Sequence, residues 1–394
     1  MPDQIHHQAN SDFTPSEYPS FPDDLPTASL QTFDVSDLSP DHQAGSTRTN
    51  KEVQILQSCQ TDGCFYLNLA APSEDMSSST TITTPSYSNC STSTDNSLIK
   101  DAESIMHLLQ PLFQMTEEEK ASYSPVADPL ALFGYKRTGA TVVDDHNTPD
   151  CAEFFNISKN DLVSSRQQSV TVQPCTPAVS TSPGPAPEPV SNNDKDILLP
   201  PIILHHQDQI REFMLKCHDL CLLLLDRISA NYEEFPGEIL RSMHRFDKRS
   251  GDQLRVVRGP PAACIDNNDI NYDLEHNLRR DGFQIHTPTH HDFGTITILF
   301  NWLGGLQIVQ QQEDGNNTGT GTGNGIYNYK WVKPLPGHAI VLVGSALGRF
   351  TDSPPDRHPK LKRGLGEEEE KGVLRPCHPV RHRVVSAPDR RMMF

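Results

Sequence analysis

From about residue 252 onward, the sequence consists of short apolar runs separated by turns. This pattern constrains the fold more than any other feature of the sequence. The runs read LRVV, TITILF, LQIVQQQ, YKWV and HAIVLVG. Short, evenly spaced runs rich in β-branched side chains are typical of antiparallel sandwiches and barrels. We therefore expect the C-terminal part of the chain to be built from β-strands.

The N-terminal half shows a different periodicity. Residues 207–230 carry apolar side chains at helical spacing, which predicts one amphipathic helix. Residues 99–121 are also helical in pattern, with Thr116 placed as an N-cap before three glutamates. A further helix is expected after residue 51, followed by a short strand with the sequence CFYLNL. The predicted class is mainly β with N-terminal helices.

The composition predicts polar insertions between the folded parts of the chain. Hydrophobic residues make up 35% of the chain, and prolines number 32, so we expect disordered segments between the folded ones. The boundaries follow the Ser-, Thr-, Pro- and Gly-rich stretches. We predict a disordered tail at 1–30, an N-terminal helical and mixed region at 31–163 with a low-complexity insertion at 72–98, a disordered insertion at 164–199, a long helix and its connection at 200–251, and a β domain at 252–394 with loop insertions at 313–325 and 352–372.

Charge and targeting signals limit the possible partners. The formal net charge is −18, which argues against binding to nucleic acid or to an anionic membrane. The N-terminus lacks the basic and apolar regions of a signal peptide, and no apolar stretch is long enough to span a bilayer. The nine cysteines form no CxxC pair. We expect a cytoplasmic monomer with reduced thiols and a small-molecule substrate.

The stretch THHDFGTITILF, residues 289 to 300, is a candidate metal site. In a strand, residues i and i+2 point to the same side, so His290 and Asp292 would share one face and His291 would point away. A second histidine, His382 in RHRVV, could complete a set of two histidines and one carboxylate, which is diagnostic of non-haem Fe(II) oxygenases. With 17 histidines an HxD triplet also arises easily by chance, and it could simply close a loop. His286, His291, His358 and His378 are interpreted as surface or packing residues.

Three C-terminal segments carry a family resemblance. HHDFGTITILFNWLGGLQI, WVKPLPGHAIVLVGSAL and HRVVSAPDR resemble, in order and spacing, the isopenicillin N synthase-like Fe(II)/2-oxoglutarate-dependent dioxygenases, and fungal members above all. SCQTDGCFYLNL, GYKRTGATVVDDHNTPDCAEFFNIS and LHHQDQIREFMLKCHDLCLLLLDRI look like the N-terminal region of the same enzymes. The likeness covers most of residues 50–394 apart from the insertions.

The resemblance implies a fold, a metal and a reaction. The core would be a double-stranded β-helix, or jelly roll, with His290, Asp292 and His382 as ligands of Fe(II). The cosubstrates would be 2-oxoglutarate and O₂, and the enzyme would hydroxylate, desaturate or cyclise a small organic molecule, plausibly in secondary metabolism. The family's arginine for the far carboxylate of 2-oxoglutarate falls on Arg391, with Arg390 as the other possible register.

Departures from the family pattern leave two alternatives open. The serine expected two residues after the arginine is replaced by Met393 or Met392, and the tyrosine of a Tyr-Pro-Pro motif by Gly259. Only three residues follow Arg391, so weak cosubstrate binding is expected. The alternatives are an iron oxidase that does not use 2-oxoglutarate, and a catalytically impaired relative that acts as a binding protein.

Overall fold

The structure of the protein is a computed structural model. It describes residues 21–38, 50–70, 97–125, 133–144, 147–162, 199–231, 238–259, 284–310, 328–352 and 375–386. Among these residues, no helix combines the length and the apolar character needed to cross a bilayer.

Helices are concentrated in the first part of the chain and strands in the last. The helices are α1 (Asn50–Thr61), α2 (Ser97–Leu109), α3 (Glu117–Ala121), α4 (Pro201–His205), α5 (Gln207–Ser229), α6 (Glu238–Met243) and α7 (Ser345–Thr351). The strands are β1 (Thr32–Asp34), β2 (Cys64–Asn68), β3 (Gly134–Lys136), β4 (Glu153–Ser158), β5 (Gln253–Arg258), β6 (Ile285–His290), β7 (Ile296–Leu299), β8 (Leu306–Val309), β9 (Tyr329–Trp331), β10 (His338–Val343) and β11 (His382–Val385).

Two four-stranded sheets pack against each other. One has the strand order β1-β2-β10-β7 and the other β6-β11-β8-β9. Alternate side chains of β2 and β10, among them Tyr66 and Ile340, meet Leu306 and Ile308 of β8 in one buried cluster. The interior between the sheets is therefore apolar, and polar groups at its rim stand out as candidates for function.

Helix α5 covers the outer face of the first sheet. Its residues Leu224, Leu225 and Ile228 are almost completely buried and share a cluster with alternate residues of β2 and β10. Burying such side chains stabilises the fold by about 1.5–3 kcal/mol each. The long amphipathic helix predicted from sequence is confirmed, and it supports the sheet that carries β7.

A third sheet, β3-β4-β5, lies against α2 and the first half of α5. One of its faces is apolar, because Phe155 and Ile157 of β4 and Leu254 and Val256 of β5 all pack into this cluster. The opposite face carries the intervening residues, including Asn156, which pairs with Arg255 across the two strands. This second face is mixed, with Phe154 and Val257 beside the polar pair.

Several boundaries differ from the sequence-based division. Strands β1 and β2 pair with each other in parallel, and β2 pairs with β10, so the division at residue 252 does not separate the strands of the sheets. The helical pattern at 99–121 is interrupted by a 3-10 turn at Gln110–Gln114, which contains Pro111. Proline removes a backbone donor and ends an α-helix.

The predicted tail at 1–30 is too long. Ala28 donates a backbone hydrogen bond to Trp331, and Trp331 donates one to Pro26, so this segment pairs with β9. An edge strand has unpaired backbone groups that such a segment satisfies. Residues 1–20 lie outside the described residues, as do most of the predicted insertions at 72–98, 164–199, 313–325 and 352–372.

The predicted helix cap is confirmed. The Thr116 side chain accepts a hydrogen bond from the Glu119 backbone, and the Glu119 side chain accepts one from the Thr116 backbone. This reciprocal capping box satisfies two backbone donors at the start of α3.

Candidate metal centre

Two antiparallel neighbours bring the predicted ligands together. His290 is the last residue of β6 and His382 is the first residue of β11, and the two stand directly opposite each other in the register. Asp292 follows two residues after His290, in the connection to β7. One carboxylate and two imidazoles, called the triad from here on, therefore meet at the rim of the sandwich.

The potential ligand atoms converge on one point. The Nε2 atom of His290 lies 3.5 Å from Asp292 Oδ1, and His382 Nε2 lies 3.6 Å from the same oxygen. One ligand atom from each of the three residues lies within 4.8 Å of the others. Within the part of the chain that the structure describes, no other group of three such residues is arranged in this way.

Backbone carbonyls orient both imidazoles. The Nδ1 atom of His290 lies 2.8 Å from the Pro288 carbonyl oxygen, and Nδ1 of His382 lies 3.1 Å from that of Val380. A carbonyl oxygen only accepts, so each Nδ1 carries a proton and donates it. In the neutral imidazole the lone pair is then on Nε2, which is the atom that faces Asp292. Metal-binding histidines are commonly oriented by such contacts.

The carboxylate of Asp292 is held by its other oxygen. The Thr297 hydroxyl donates a hydrogen bond of 2.6 Å to Asp292 Oδ2, which leaves Oδ1 facing the histidines. Burial by itself raises the pKa of the Asp292 carboxyl, but the neighbouring His290, His382 and Thr297 outweigh burial and hold this pKa below its ordinary range. The group is therefore a carboxylate at neutral pH.

The start of α7 supports the connection that carries Asp292. The backbone N–H groups of Ser345 and Ala346 donate to the carbonyls of Asp292 and Gly294 at 2.8 and 3.1 Å. A side chain at Gly344 would place its Cβ 2.1 Å from the Gly294 carbonyl oxygen, so only glycine allows this approach. The motif GSAL thus positions a ligand without contacting the metal position itself.

The triad is open on one side. The side chain of His382 is 5% exposed, that of Asp292 is 22% exposed and that of His290 is 32% exposed. Burial lowers the pKa of the His382 imidazole, which favours the neutral form that binds metals. Solvent therefore reaches the centre from the side of His290.

The residues present fit a divalent cation. Two ligands that each lie about 2.1 Å from an ion are about 3 Å apart when adjacent in an octahedron, and at most about 4.2 Å apart. The distances of 3.5 and 3.6 Å from Asp292 to the two imidazoles fall between these limits. Three acceptor atoms facing one another repel unless a proton or a cation lies between them. Two nitrogens and one carboxylate oxygen suit Fe(II) and leave further positions for small ligands.

Other sequence-based expectations have mixed outcomes. The strand period does not explain the juxtaposition of His290 and Asp292, because β6 ends at His290. His291 is exposed and lies outside the triad, and His286 is buried in β6. Arg390, Arg391 and His358 lie outside the described residues.

Sequence reasoning missed the residues that support the triad. Thr297 lies in the alternating run TITIL, where its polar side chain points to the same side as Leu299, towards the interior of the sandwich. A hydroxyl directed to the interior directly after an HxD motif is the signal that could have identified it. Gly344 gave no such signal, because its role depends on a contact 50 residues away in sequence.

Known proteins provide an independent comparison. A 2-oxoglutarate-dependent dioxygenase of Aspergillus fumigatus is 29% identical over 215 residues, a match that covers 53% of this chain and 46% of that protein. Another, from a Dothideomycetidae species, is 20% identical over 320 residues, covering 81% of this chain and 71% of the relative. The chain thus spans less than half of the Aspergillus protein. No protein-family model matches the sequence.

A solved structure supports the fold. A 2OG-Fe(II) oxygenase family protein from Caulobacter crescentus superposes with a TM-score of 0.52 at 16% identity, covering 93% of this chain and 83% of that one. The likeness to fungal 2-oxoglutarate-dependent dioxygenases predicted from the motifs is confirmed by the curated relatives. The narrower isopenicillin N synthase-like assignment stays a prediction.

Proposed function

We propose that this protein is a non-haem Fe(II)- and 2-oxoglutarate-dependent dioxygenase that oxidises a small organic molecule. The observation that carries the proposal is the convergence of His290 Nε2, His382 Nε2 and Asp292 Oδ1 at the rim of a β sandwich. The names of the fungal relatives support the same class of reaction. When bound, Fe(II), 2-oxoglutarate and O₂ would supply an oxidant able to remove hydrogen from an organic substrate, with 2-oxoglutarate decarboxylated to succinate.

The protein's own residues would orient the metal and keep its ligands in the right state. His290 and His382 present Nε2 because their Nδ1 atoms donate to backbone carbonyls. Asp292 presents one oxygen because Thr297 holds the other. Groups of the protein itself therefore orient all three ligand side chains.

We further propose that the two four-stranded sheets form the double-stranded β-helix of this class. The antiparallel pairing of β6 with β11 and of β7 with β10, on facing sheets, supports this topology. The position of the triad at the open end of the sandwich also agrees with it.

The far carboxylate of 2-oxoglutarate is proposed to bind Arg391. A guanidinium matches a carboxylate with two parallel hydrogen bonds, which a lysine cannot do. Arg391→Ala should lower 2-oxoglutarate affinity by more than tenfold, while Arg390→Ala should not. The opposite result would move the assignment by one residue.

The substrate is proposed to be a small organic molecule of secondary metabolism, oxidised by a cytoplasmic monomer. Stoichiometry tests the reaction class. The reconstituted protein should consume O₂ and 2-oxoglutarate and form succinate in equal amounts. Oxygen consumption that does not depend on 2-oxoglutarate would instead favour an iron oxidase, and the absence of any consumption would favour a binding protein.

A further inference from the structure

The second face of the β3-β4-β5 sheet carries an oriented cation. Arg255 lies on β5, and its Nε donates a hydrogen bond of 2.8 Å to the Asn156 side chain. Its guanidinium lies 4.4 Å above the centre of the Phe154 ring, a cation–π distance. These two contacts fix the orientation of the side chain.

The terminal nitrogens of Arg255 remain available for a ligand. Within the residues that the structure describes, neither of them makes a hydrogen bond or an ion pair with a side chain or the backbone. Lys136 on the same face differs in this respect, because Asp150 neutralises it. Arg255 therefore offers a fixed cation with its binding edge unused, which is the form that a carboxylate recognises best.

Two contacts relate this face to the strand that bears His290. A Cβ on Gly259, just after β5, would lie 2.2 Å from the His286 ring, and Cys151, just before β4, donates a backbone bond to Ile285. Strand β5 runs towards the contact between Gly259 and His286, and β6 runs away from it. Arg255 lies four residues before Gly259 and His290 lies four after His286, about 13 Å along each strand.

The electrostatics and the exposure of Arg255 are consistent with a ligand-binding role. Burial lowers the pKa of the Arg255 guanidinium, whereas the negative charge of Asp292 raises it. Arg255 is nevertheless exposed, and Val257, its neighbour on the same face, is 42% exposed. This face of the sheet is therefore accessible to a small molecule.

We propose that Arg255 binds a carboxylate of the organic substrate and that the rest of the substrate extends across this face of the sheet towards the triad. The inference rests on the proposed function and adds the substrate class, an organic acid. The apolar part of such an acid would contact Val257 and Phe154 on the same face. A positive charge on this face would hold the molecule at one end while its carbon skeleton extends towards the triad.

Binding of matched acids and amides tests this inference. Phenylacetate and hexanoate are titrated by calorimetry into the full-length protein, each beside its primary amide, with and without Fe(II). We expect at least one acid to bind at least tenfold more tightly than its amide, and Arg255→Gln to remove this preference. Arg255→Lys should retain part of it. Arg241→Gln is the matched control, because it removes the same charge from an exposed pair with Asp226 and should leave the preference unchanged.

A second titration separates the two possible carboxylates. The affinity of the Fe(II) protein for 2-oxoglutarate should be the same in Arg255→Gln and in wild type, which also shows that the variant folds. A tenfold loss of 2-oxoglutarate affinity would assign Arg255 to the cosubstrate and overturn the inference. Equal binding of both acids and their amides by wild type, or a preference that survives in Arg255→Gln, would also overturn it.

The same measurements distinguish this inference from the proposed function. Failure of the wild-type protein to bind Fe(II) and 2-oxoglutarate would contradict the dioxygenase proposal. The acid preference is also measured without metal, so it still decides the role of Arg255 in that case.

Discussion

Among the residues that the structure describes, the triad and a second cluster of ionisable side chains differ in how donors and acceptors are matched. In the ion cluster, Lys120, Tyr135 and Arg258 surround Glu153. Lys120 Nζ lies 2.7 Å and the Tyr135 hydroxyl 2.6 Å from one carboxylate oxygen, and Arg258 lies 3.2 Å from the other. Every group there faces a complementary partner, as expected of a structural cluster.

The triad shows the opposite arrangement. Two imidazole nitrogens with lone pairs and one carboxylate oxygen face one another, and no donor lies between them unless a proton is bound. Their remaining atoms are fully engaged, by two carbonyls and the Thr297 hydroxyl. A completed set of charges stabilises a fold, whereas converging acceptors indicate a binding site for a cation.

The largest expected effect is the loss of metal binding on removing a triad ligand. His290→Ala, Asp292→Ala and His382→Ala should each lower Fe(II) affinity by at least a hundredfold, because a metal held by three protein ligands loses one of them. Equilibrium dialysis with iron analysis measures this. His291→Ala is the control and should retain iron. Retention of iron by His290→Ala together with its loss in His291→Ala would contradict the assignment.

Breaking the ion cluster should affect stability instead. Glu153→Ala leaves the buried Lys120 with the exposed carboxylate of Glu117 as its remaining ion partner, which should lower the free energy of unfolding by about 1–3 kcal/mol. Denaturant unfolding measures this loss, and iron affinity of the folded fraction should stay within about twofold. A large change in iron affinity with unchanged stability would reverse the roles assigned to the two clusters.

The next largest effect should come from the contact between α7 and the connection that carries Asp292. Gly344→Ala forces the Gly294 carbonyl and its neighbours to move, so iron affinity should fall by about 10–100-fold. Gly251→Ala is a matched control, because a Cβ there meets no atom within 4 Å. Equal iron affinity in the two variants would show that α7 does not position the ligand.

Thr297→Val should have a smaller effect. The variant keeps the shape of the side chain but removes the hydrogen bond to Asp292 Oδ2, and iron affinity should fall by about tenfold. Thr297→Ser restores the hydroxyl and should recover most of the affinity. Failure of the serine to do so would indicate that packing, and not the hydrogen bond, is responsible.

The smallest effect concerns pH. Burial lowers the pKa of His382 below its ordinary value of about 6.5. As the pH falls below that value, the unfolded chain takes up a proton before the folded one, so the stability of the metal-free protein should decrease until the folded pKa is reached. Unfolding measured from pH 7 to pH 5 should show a smaller decrease in His382→Gln. An equal decrease in stability in both proteins would show that His382 does not cause it.

The two clusters also differ in what the sequence could reveal. His290 and Asp292 lie two residues apart in one motif, and His382 lies in a short β run. Residue chemistry and family likeness were therefore sufficient to predict that these three residues form one site. Lys120 and Glu153 have no such motif, and their pairing follows only from the packing of α3 against the third sheet. Sequence patterns identify ligands more readily than long-range charge pairs.

The strands show the same limit of sequence-based prediction. The apolar runs predicted β5, β7, β8, β9 and β10, and the structure confirms them. Strand β6 was missed, because IHTPTH contains Pro288 and lacks apolar alternation, although this strand holds His290. Its pairing with β11 compensates for the weak local signal, and tertiary contacts of this kind are invisible in a single sequence.

The most direct test of the triad as an Fe(II) and 2-oxoglutarate site is an anaerobic titration followed by visible spectroscopy. We expect the wild-type protein to bind one Fe(II) per chain, and addition of 2-oxoglutarate to produce a weak charge-transfer band that is absent in Asp292→Ala. Iron bound without such a band would contradict the use of 2-oxoglutarate. A band that persists in Asp292→Ala would contradict the triad itself.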